Sequence, residues 1–239
     1  MERKFEGQTV VVVGASSGIG RAAAQKSAAG GAKVVMLSRS ADKLAAAAAS
    51  IEGTTDQHAV DMRNSAEVEA AFSIYQRIDH LILTAVADEK ARGKPLADLN
   101  EDALERSFDK MRGYFTVVKT AAPRLAPNGS VTMMCGAAAL RPPASGFTLL
   151  AAEGAAIPGF ARALARELSP TRVNVIMAGV VDTAIHQGNR DRLAVWAETS
   201  LPARRFGQPD DIADAIMFAL GNPYLTGATL IVDGGLSIS

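Results

Sequence analysis

The stretch TVVVVGASSGIG, residues 9–20, decides the fold of this chain. Its first five residues are β-branched and favour a strand, and the Ala-rich residues that follow favour a helix. Between them, Gly14 permits a tight turn, Gly18 lets backbone approach a pyrophosphate, and Gly20 lets the helix pack against the strand. The free N–H groups at the start of that helix attract phosphates. The stretch therefore predicts a dinucleotide site, which besides the three glycines includes Ser16, Ser17 and Ile19.

Short β-rich segments alternate with longer helical segments along the rest of the chain. This alternation predicts an α/β fold, in which a doubly wound, seven-stranded parallel sheet carries helices on both faces, as in a Rossmann fold. The predicted strands span residues 9–13, 33–37, 58–60, 81–84, 131–134, 173–177 and 229–232. The predicted helices span residues 19–29, 41–51, 66–75, 101–121, 148–168 and 210–220.

Two segments, residues 86–100 and about 183–208, break the alternation. Both follow the carboxyl ends of strands, which is the edge where doubly wound sheets bind ligands. We expect both segments to form a binding site, the second as a mobile helical lid over the substrate. The chain has 239 residues and no repeat or low-complexity linker. We therefore expect a single domain over residues 1–239.

The end of the second predicted strand indicates which dinucleotide is bound. An NAD-binding protein usually has an acidic residue at this point, whereas this chain has Ser38 and Arg39. A hydroxyl and a guanidinium suit a 2′-phosphate, which a carboxylate would repel. The sequence therefore predicts NADP(H) as the cofactor. A solvated arginine at a strand end is the alternative interpretation.

Composition excludes several classes of partner. The 25 basic and 25 acidic residues balance, so no net charge attracts nucleic acid or an anionic membrane. No stretch approaches the ~18 to 20 consecutive apolar residues of a membrane span, and residues 1–7 lack the apolar core of a secretion signal. The single Cys135 and three dispersed histidines predict neither a disulfide nor a metal site. We expect a cytoplasmic protein that binds a small-molecule substrate, and neither nucleic acid nor a membrane.

Several motifs resemble those of the short-chain dehydrogenase/reductase family, over essentially the whole chain. The glycine-rich stretch matches the family's nucleotide loop, and Asp61-Met62 matches the acidic position that holds the adenine. Further matches are Asp79, Arg172-Val173-Asn174, Gly179-x-x-x-Thr183 and Asp233-Gly234-Gly235. The resemblance implies a Rossmann fold, NAD(P)(H) binding and usually a homotetramer. It adds to the expected cofactor site Asp61, Met62, Ala85, Gly179, Val181 and Thr183.

The same resemblance implies that the usual catalytic residues are replaced. Lys110 stands at the position of the family's catalytic Asn and Gly136 at that of its Ser, while Leu150 and Gly154 occupy those of its Tyr and Lys. No tyrosine of the chain has a lysine four residues later, and no lysine follows Lys119. In ordinary members the Tyr supplies a proton to the forming alkoxide. Since such assistance is worth ~10² to 10⁴ in rate, we expect ordinary ketone reduction to be severely impaired.

Three functions remain open at this point. The first is an NADP(H)-dependent oxidoreductase that reduces an iminium, which needs no proton, or an activated C=C or C=O bond. The second is a catalytically silent NADP(H)-binding pseudo-enzyme. The third is a non-redox cyclase or isomerase that keeps the cofactor as a structural element.

Lys110 is the candidate catalytic residue, because a lysine appears at one catalytic position while the usual lysine is lost from another. A surface or subunit-interface lysine is the alternative. We expect Glu153 to face a neighbouring subunit, and Cys135 to be a buried filler at a strand end. Other side chains expected to border the cleft or to lie in the lid are Tyr114, Arg141, His186, Arg190, Arg192 and Trp196. Arg190, Arg192 and Trp196 of the lid suggest an acidic or aromatic substrate, and a solvated amphipathic helix is the alternative.

Overall fold

Seven parallel strands form the centre of the fold in the computed structural model, which describes residues 4–86 and 93–239. Within these residues the strands are β1 Thr9–Val13, β2 Lys33–Ser38, β3 Thr55–Ala59, β4 Ile78–Leu83, β5 Leu125–Gly136, β6 Arg172–Ala178 and β7 Thr229–Val232. The helices are α1 Gly18–Ala29, α2 Ala41–Ala49, α3 Ser65–Ser73, α4 Glu101–Ser107, α5 Asp109–Ala121, α6 Thr148–Glu167, α7 Arg190–Ser200 and α8 Pro209–Gly221. In the part of the chain described, no helix is long and apolar enough to cross a membrane.

Both faces of the sheet are covered, which explains the unbroken run of valines in β1. Val11 and Val13 lie in the core formed with α3, α5 and α6. Val10 and Val12 lie in the core on the opposite face, formed with α1, α2 and α8. A parallel strand buried on both faces has no reason to alternate with polar residues. The predicted Rossmann fold is confirmed.

The strand order β3-β2-β1-β4-β5-β6-β7 indicates where the expected ligand-binding crevice lies. The order reverses between β1 and β4, and ligands of such sheets bind in the crevice at the carboxyl ends of these strands. One carbonyl holds the two ends together: the oxygen of Val13 accepts hydrogen bonds from the backbone N–H groups of Thr84 and Ala85, at 2.9 and 3.0 Å. The Thr84 hydroxyl donates to the same oxygen at 2.9 Å.

Some predicted boundaries are wrong. The single helix expected over residues 101–121 is two helices, α4 and α5, which meet at Phe108. The side chain of Asn100 caps α4, and the first residue of α5, Asp109, is held by an ion pair with Arg63. Strand β3 begins at Thr55 rather than at residue 58, because residues 55–59 pair with β2 along the sheet edge.

The structure describes all of the segment 183–208 but only part of the segment 86–100, the two segments that we expect to form a binding site. Within residues 183–208, a 3₁₀ turn over Ala184–Asn189 leads into α7, so this segment is helical as expected, while its role as a lid stays a prediction. Its mobility stays a prediction. Of the segment 86–100, residues 87–92 lie outside the described part of the chain, and Leu96–Asp98 form a 3₁₀ turn.

Candidate functional site

A cavity of about 1540 Å³ lies along the carboxyl edge of the sheet. It has room for a dinucleotide and a small molecule side by side. Every residue that the sequence assigns to the cofactor lies on its wall: Gly14, Ser16, Ser17, Gly18, Ile19, Gly20, Ser38, Arg39, Asp61, Met62, Ala85, Gly179, Val181 and Thr183. The candidate catalytic residue Lys110 lies on the same wall.

The glycine-rich turn forms one end of the cavity. Gly14 has a φ of +96°, and a Cβ atom there would lie 2.6 Å from the backbone nitrogen of Ala85. A Cβ on Gly20 would collide with the carbonyl oxygen of Gly14. Ser17 is the N-cap of α1, and its side chain makes no capping hydrogen bond. The first N–H groups of α1 are thus left for a ligand, as a phosphate site requires.

The end of β2 carries hydroxyl and cationic groups. The Oγ atoms of Ser16 and Ser38 lie 2.9 Å apart, so a hydrogen bond joins the glycine-rich turn to β2. Arg39 follows on the cavity wall, together with Lys43 of α2. The sequence analysis missed Lys43. Lys43 lies in the first turn of the helix that follows Arg39, and this position could have identified it as a candidate.

Asp61 is held in a network of charges. Arg63 donates to both carboxylate oxygens of Asp61 and, at 2.9 Å, to Asp109 at the start of α5. Hydrogen bonds from Arg63 hold the pKa of the Asp61 carboxyl below its ordinary value, and the charge of Arg39 acts in the same direction. The loop after β3 is thereby tied to the helix that carries Lys110. Arg63 also lines the cavity, and the sequence analysis did not identify it.

The side chain of Lys110 is buried at the other end of the cavity. It is 7 % exposed, and its Nζ atom lies 5.6 Å from the centre of the Tyr114 ring. The alternative of a surface lysine is therefore wrong. The expectation that Tyr114 borders the cleft is also wrong: its ring is fully buried, and its hydroxyl donates to the carbonyl oxygen of Leu83 at 2.7 Å.

Three further residues on the cavity wall have no polar side chain: Gly136, Leu150 and Gly154. A Cβ on Gly136 would meet no atom within 4 Å, so the space beside it is open. A Cβ on Gly154 would lie 3.1 Å from that of Ala139, because α6 packs closely on the turn after β5. None of the three can donate a proton or a hydrogen bond from its side chain.

Glu153 lies on the same wall, contrary to the expectation that it faces another subunit. It is 3 % exposed within the single chain and lines the cavity between Leu150 and Gly154. Helix α6 turns this residue inward, a direction that its distance in sequence from the preceding strand does not reveal. A buried carboxylate in a cleft is a common mark of a functional site.

Cys135 adjoins these groups at the end of β5. Burial is the main cause that raises the pKa of its thiol to about 11, while the charge of Lys110 lowers it and that of Glu153 raises it. The thiol stays protonated at neutral pH and is a poor nucleophile. Its place as a 2 % exposed side chain in the core supports the filler role.

The segment 183–208 forms part of the cavity wall. Arg192, Trp196 and His186 line the cavity, and Arg141 lines it from the segment after β5. Arg190 instead forms an ion pair with Asp182 and orders the start of α7. In residues 4–86 and 93–239, no cluster of three His, Cys, Asp or Glu side chains is placed to hold a metal ion.

The sequence and fold are similar to those of known oxidoreductases. A family model described as Enoyl-(Acyl carrier protein) reductase matches residues 14–237. Carbonyl reductase family member 4 of Danio rerio is 31% identical over 235 residues, which cover 95% of this chain and 97% of that protein. The crystal structure of a short-chain dehydrogenase/reductase, described as a glucose/ribitol dehydrogenase, from Brucella melitensis superposes with a TM-score of 0.92 at 29% identity and covers 100% of both chains.

A second similar structure is described as a complex with a ligand. It is a short chain dehydrogenase from Burkholderia cenocepacia in complex with NADP, with a TM-score of 0.87 and 27% identity over 98% of this chain and 99% of that one. Sequence match, coverage and fold agree along nearly the whole chain. This protein belongs to the short-chain dehydrogenase/reductase family.

Proposed function

We propose that this protein is an NADP(H)-dependent reductase with a non-standard active site, which reduces an iminium or an activated C=C or C=O bond of a small molecule. The observation that carries the proposal is one continuous cavity. It joins the glycine-rich turn and Arg39 at one end to Lys110 and Glu153 at the other. The NADP complex of the Burkholderia relative supports the same cofactor.

The residues on the wall fit such a cofactor. A Cβ at Gly14 or Gly20 would collide with neighbouring backbone, so the turn keeps its N–H groups accessible. Ser38, Arg39 and Lys43 supply the hydroxyl and cations that a 2′-phosphate requires. In this proposal Asp61 and Met62 contact the adenine. The nicotinamide end is held by Ala85, Gly179, Val181 and Thr183. The bound cofactor would supply a hydride to the substrate.

The protein's own groups then determine which bond can accept that hydride. Leu150 and Gly136 offer no proton to a forming alkoxide, which disfavours a simple ketone. An iminium needs no proton, and an activated alkene needs one only at carbon. In our proposal the Lys110 ammonium takes over part of the electrostatic role of the missing helix lysine and holds the nicotinamide ribose.

The test is a panel of substrates with the wild-type protein. NADPH oxidation is followed at its near-ultraviolet absorbance with a cyclic iminium, an enone and a simple ketone. We expect turnover with the iminium or the enone, and with the ketone a rate lower by ~10² or more. Rapid turnover of the simple ketone would contradict the proposal.

A second candidate function is a silent NADP(H)-binding protein. The apolar side chain of Leu150, which faces the reacting end of the cavity, favours it. This candidate predicts tight NADPH binding with no oxidation by any member of the panel.

We further propose a homotetramer, as is usual in the family. On α6 the small residues Ala152, Ala155 and Gly159 are exposed, and a second helix can approach closely over such a stripe. Phe115 on α5 is 52 % exposed, which is unusual for an aromatic side chain on a free surface. Light scattering should return four times the monomer mass at micromolar concentration. A monomer mass would refute the assembly.

A further inference from the structure

The cavity wall carries more positive than negative charge. In the described part of the chain, two carboxylates line the cavity, and six lysine and arginine side chains do so: Arg39, Lys43, Arg63, Lys110, Arg141 and Arg192. The whole chain, by contrast, has 25 basic and 25 acidic residues. The excess is therefore local to the cavity, and a concave wall with one sign of charge concentrates ligands of the other sign.

Four of these cations have a partner in the protein or in the proposed cofactor complex. In that complex Arg39 and Lys43 approach the 2′-phosphate of NADPH, and Lys110 approaches its nicotinamide ribose. The guanidinium of Arg63 is held by ion pairs with two carboxylates of the protein. Arg141 and Arg192 are left without a role toward the cofactor.

The fold places these two arginines near each other and away from the phosphate-binding end. Arg141 lies in the segment that follows β5, and Arg192 lies in α7, which follows β6. Strands β5 and β6 are adjacent, so both segments begin side by side at the carboxyl edge of the sheet. Arg39 follows β2, which is three strands away from β5, or about 14 Å at the usual spacing between strands.

Helix α7 presents one face to the cavity. Arg192, Trp196 and Ser200 line the wall at intervals of four residues, which places them on the same side of the helix. Arg190, two residues before Arg192, instead forms an ion pair with Asp182. The helix thus uses one arginine to fix its own start and directs the other to the cavity.

No carboxylate of the protein neutralises Arg141 or Arg192 within residues 4–86 and 93–239. Both side chains are exposed, so their guanidinium groups are accessible to a ligand. The planar fork of a guanidinium matches the two oxygens of a carboxylate. Phe147 and Trp196 line the same cavity and add aromatic surface. Together these features suit a ligand with an anionic group and an apolar body.

We propose that Arg141 and Arg192 bind a carboxylate of the substrate, so that the substrate class of this reductase is an organic acid with an apolar body that carries the reducible bond. The inference rests on the proposed reductase function and narrows it. The carboxylate takes no part in hydride transfer. It fixes one end of the substrate at the mouth of the cavity, which orients the reducible bond toward the cofactor.

The experiment compares two ligands of nearly the same shape that differ in charge. Hydrocinnamate is an anion at neutral pH, its primary amide is neutral, and neither has a bond that NADPH reduces. Each is titrated calorimetrically into the full-length protein saturated with NADPH. The variants are Arg141→Gln, Arg192→Gln and the double variant. The matched control is Arg162→Gln, which removes an exposed arginine that lies outside the cavity wall.

We expect the wild-type protein to bind hydrocinnamate about tenfold more tightly than the amide, as for charge-assisted hydrogen bonds that water partly screens. Each single variant should lower this ratio by about threefold, and the double variant should abolish it, with an unchanged affinity for NADPH. Arg162→Gln should keep the wild-type ratio. Added sodium chloride should lower the ratio in the wild-type protein, because the arginines are exposed.

Three results overturn the inference. The first is wild-type protein that binds the two ligands equally or binds neither. The second is a preference that survives in the double variant, because another cation of the wall then binds the anion. If the double variant also loses NADPH affinity, the single variants decide, and a wild-type ratio in both of them is the third.

Failure of the inference and failure of the proposed function are distinguishable. If the substrate panel shows NADPH oxidation while hydrocinnamate and its amide bind equally, the reductase stands and the carboxylate site falls. If the arginine-dependent preference is present but neither the panel nor carboxylated forms of its iminium and enone oxidise NADPH, the carboxylate site stands and the reductase falls.

Discussion

The Oγ atoms of Ser16 and Ser38 lie 2.9 Å apart and join the glycine-rich turn to the end of β2. This hydrogen bond holds together two segments that approach different phosphates of a dinucleotide in the proposed complex. Arg39, the next residue, lies on the same wall. In the proposed complex, the turn for the pyrophosphate and the cation for a 2′-phosphate thus form one unit.

Cofactor preference tests this unit directly. In our account NADPH binds more tightly than NADH, and Arg39→Ala weakens NADPH binding by roughly ten- to a hundredfold, since a charge-assisted hydrogen bond to the phosphate is lost. The affinity for NADH should change little. Fluorescence titration of NADPH and NADH into the wild-type protein and into Arg39→Ala measures the four dissociation constants. Arg162→Ala, on the exposed side of α6, is the control. Equal affinities of the wild-type protein for NADPH and NADH would contradict the predicted preference.

Lys110 provides the second prediction. Lys110→Met keeps the length and apolar stem of the side chain but removes the buried ammonium. We expect weaker NADPH binding, by about tenfold, with an unchanged circular dichroism spectrum. Lys119→Met on the same helix is a matched control, because this lysine also lies over an aromatic ring, that of Phe115 at 5.8 Å, but is exposed. If both variants bind NADPH as the wild type does, Lys110 has no role toward the cofactor.

The third prediction introduces the side chains that, by the family resemblance, we expect ordinary members to have at these positions. The open space beside Gly136 accepts Gly136→Ser, whereas Gly154→Lys requires Ala139→Gly to relieve a contact of 3.1 Å. Combined with Leu150→Tyr, these changes should raise the rate of ketone reduction by about 10² or more. The control has Leu150→Phe in the same background and lacks only the hydroxyl. Equal ketone rates in the two proteins, with NADPH bound, would contradict the claim that a lost proton donor limits the natural site.

His80 predicts the pH dependence of stability. Its ring nitrogens lie 2.9 Å from Ser130 Oγ and from Gln8 Oε1. Burial lowers its pKa from 6.5 to about 4; the nearby Arg172 acts in the same direction, and Asp79 opposes the shift. Below pH 6.5 the unfolded chain therefore binds a proton that the folded chain refuses, so stability falls as the pH falls, down to the folded pKa.

From these two pKa values, the free energy of unfolding should drop by about 2 kcal/mol between pH 7.5 and pH 5 through this group alone. Urea unfolding at the two pH values measures the drop. His80→Gln cannot take up the proton and should show a drop smaller by that amount. Identical slopes in the wild-type protein and in His80→Gln would refute the assignment.

The sequence predicts the sheet well because its signals are local. The run of β-branched residues in β1 and the glycines after it specify strand, turn and helix without reference to distant residues. The residues assigned to the cofactor share one edge because parallel strands present their carboxyl ends together. The break at Phe108 could not be predicted, since it depends on Asn100 as a cap and on the ion pair between Asp109 and the distant Arg63.

The end of the cavity that contains Lys110 and Glu153 was harder to predict. The inward direction of Glu153 depends on how α6 rotates over the sheet, and a difference of one residue moves a side chain by about 100° around a helix. Tyr114 is a second residue whose direction differs from the expectation, which placed it at the cleft. Its hydroxyl instead hydrogen-bonds the carbonyl oxygen of Leu83 within the core. Such partners are far apart in sequence and have no motif.

The central claim is that hydride passes from NADPH to a substrate in this cavity. The most direct measurement uses NADPH that carries deuterium at both hydrogen positions of the reactive ring carbon, incubated with the cyclic iminium of the substrate panel at neutral pH. Mass spectrometry and NMR of the recovered amine show where the label goes. Our account predicts one deuterium at the former imine carbon. Unlabelled amine, or intact labelled NADPH with every member of the substrate panel, would contradict the account.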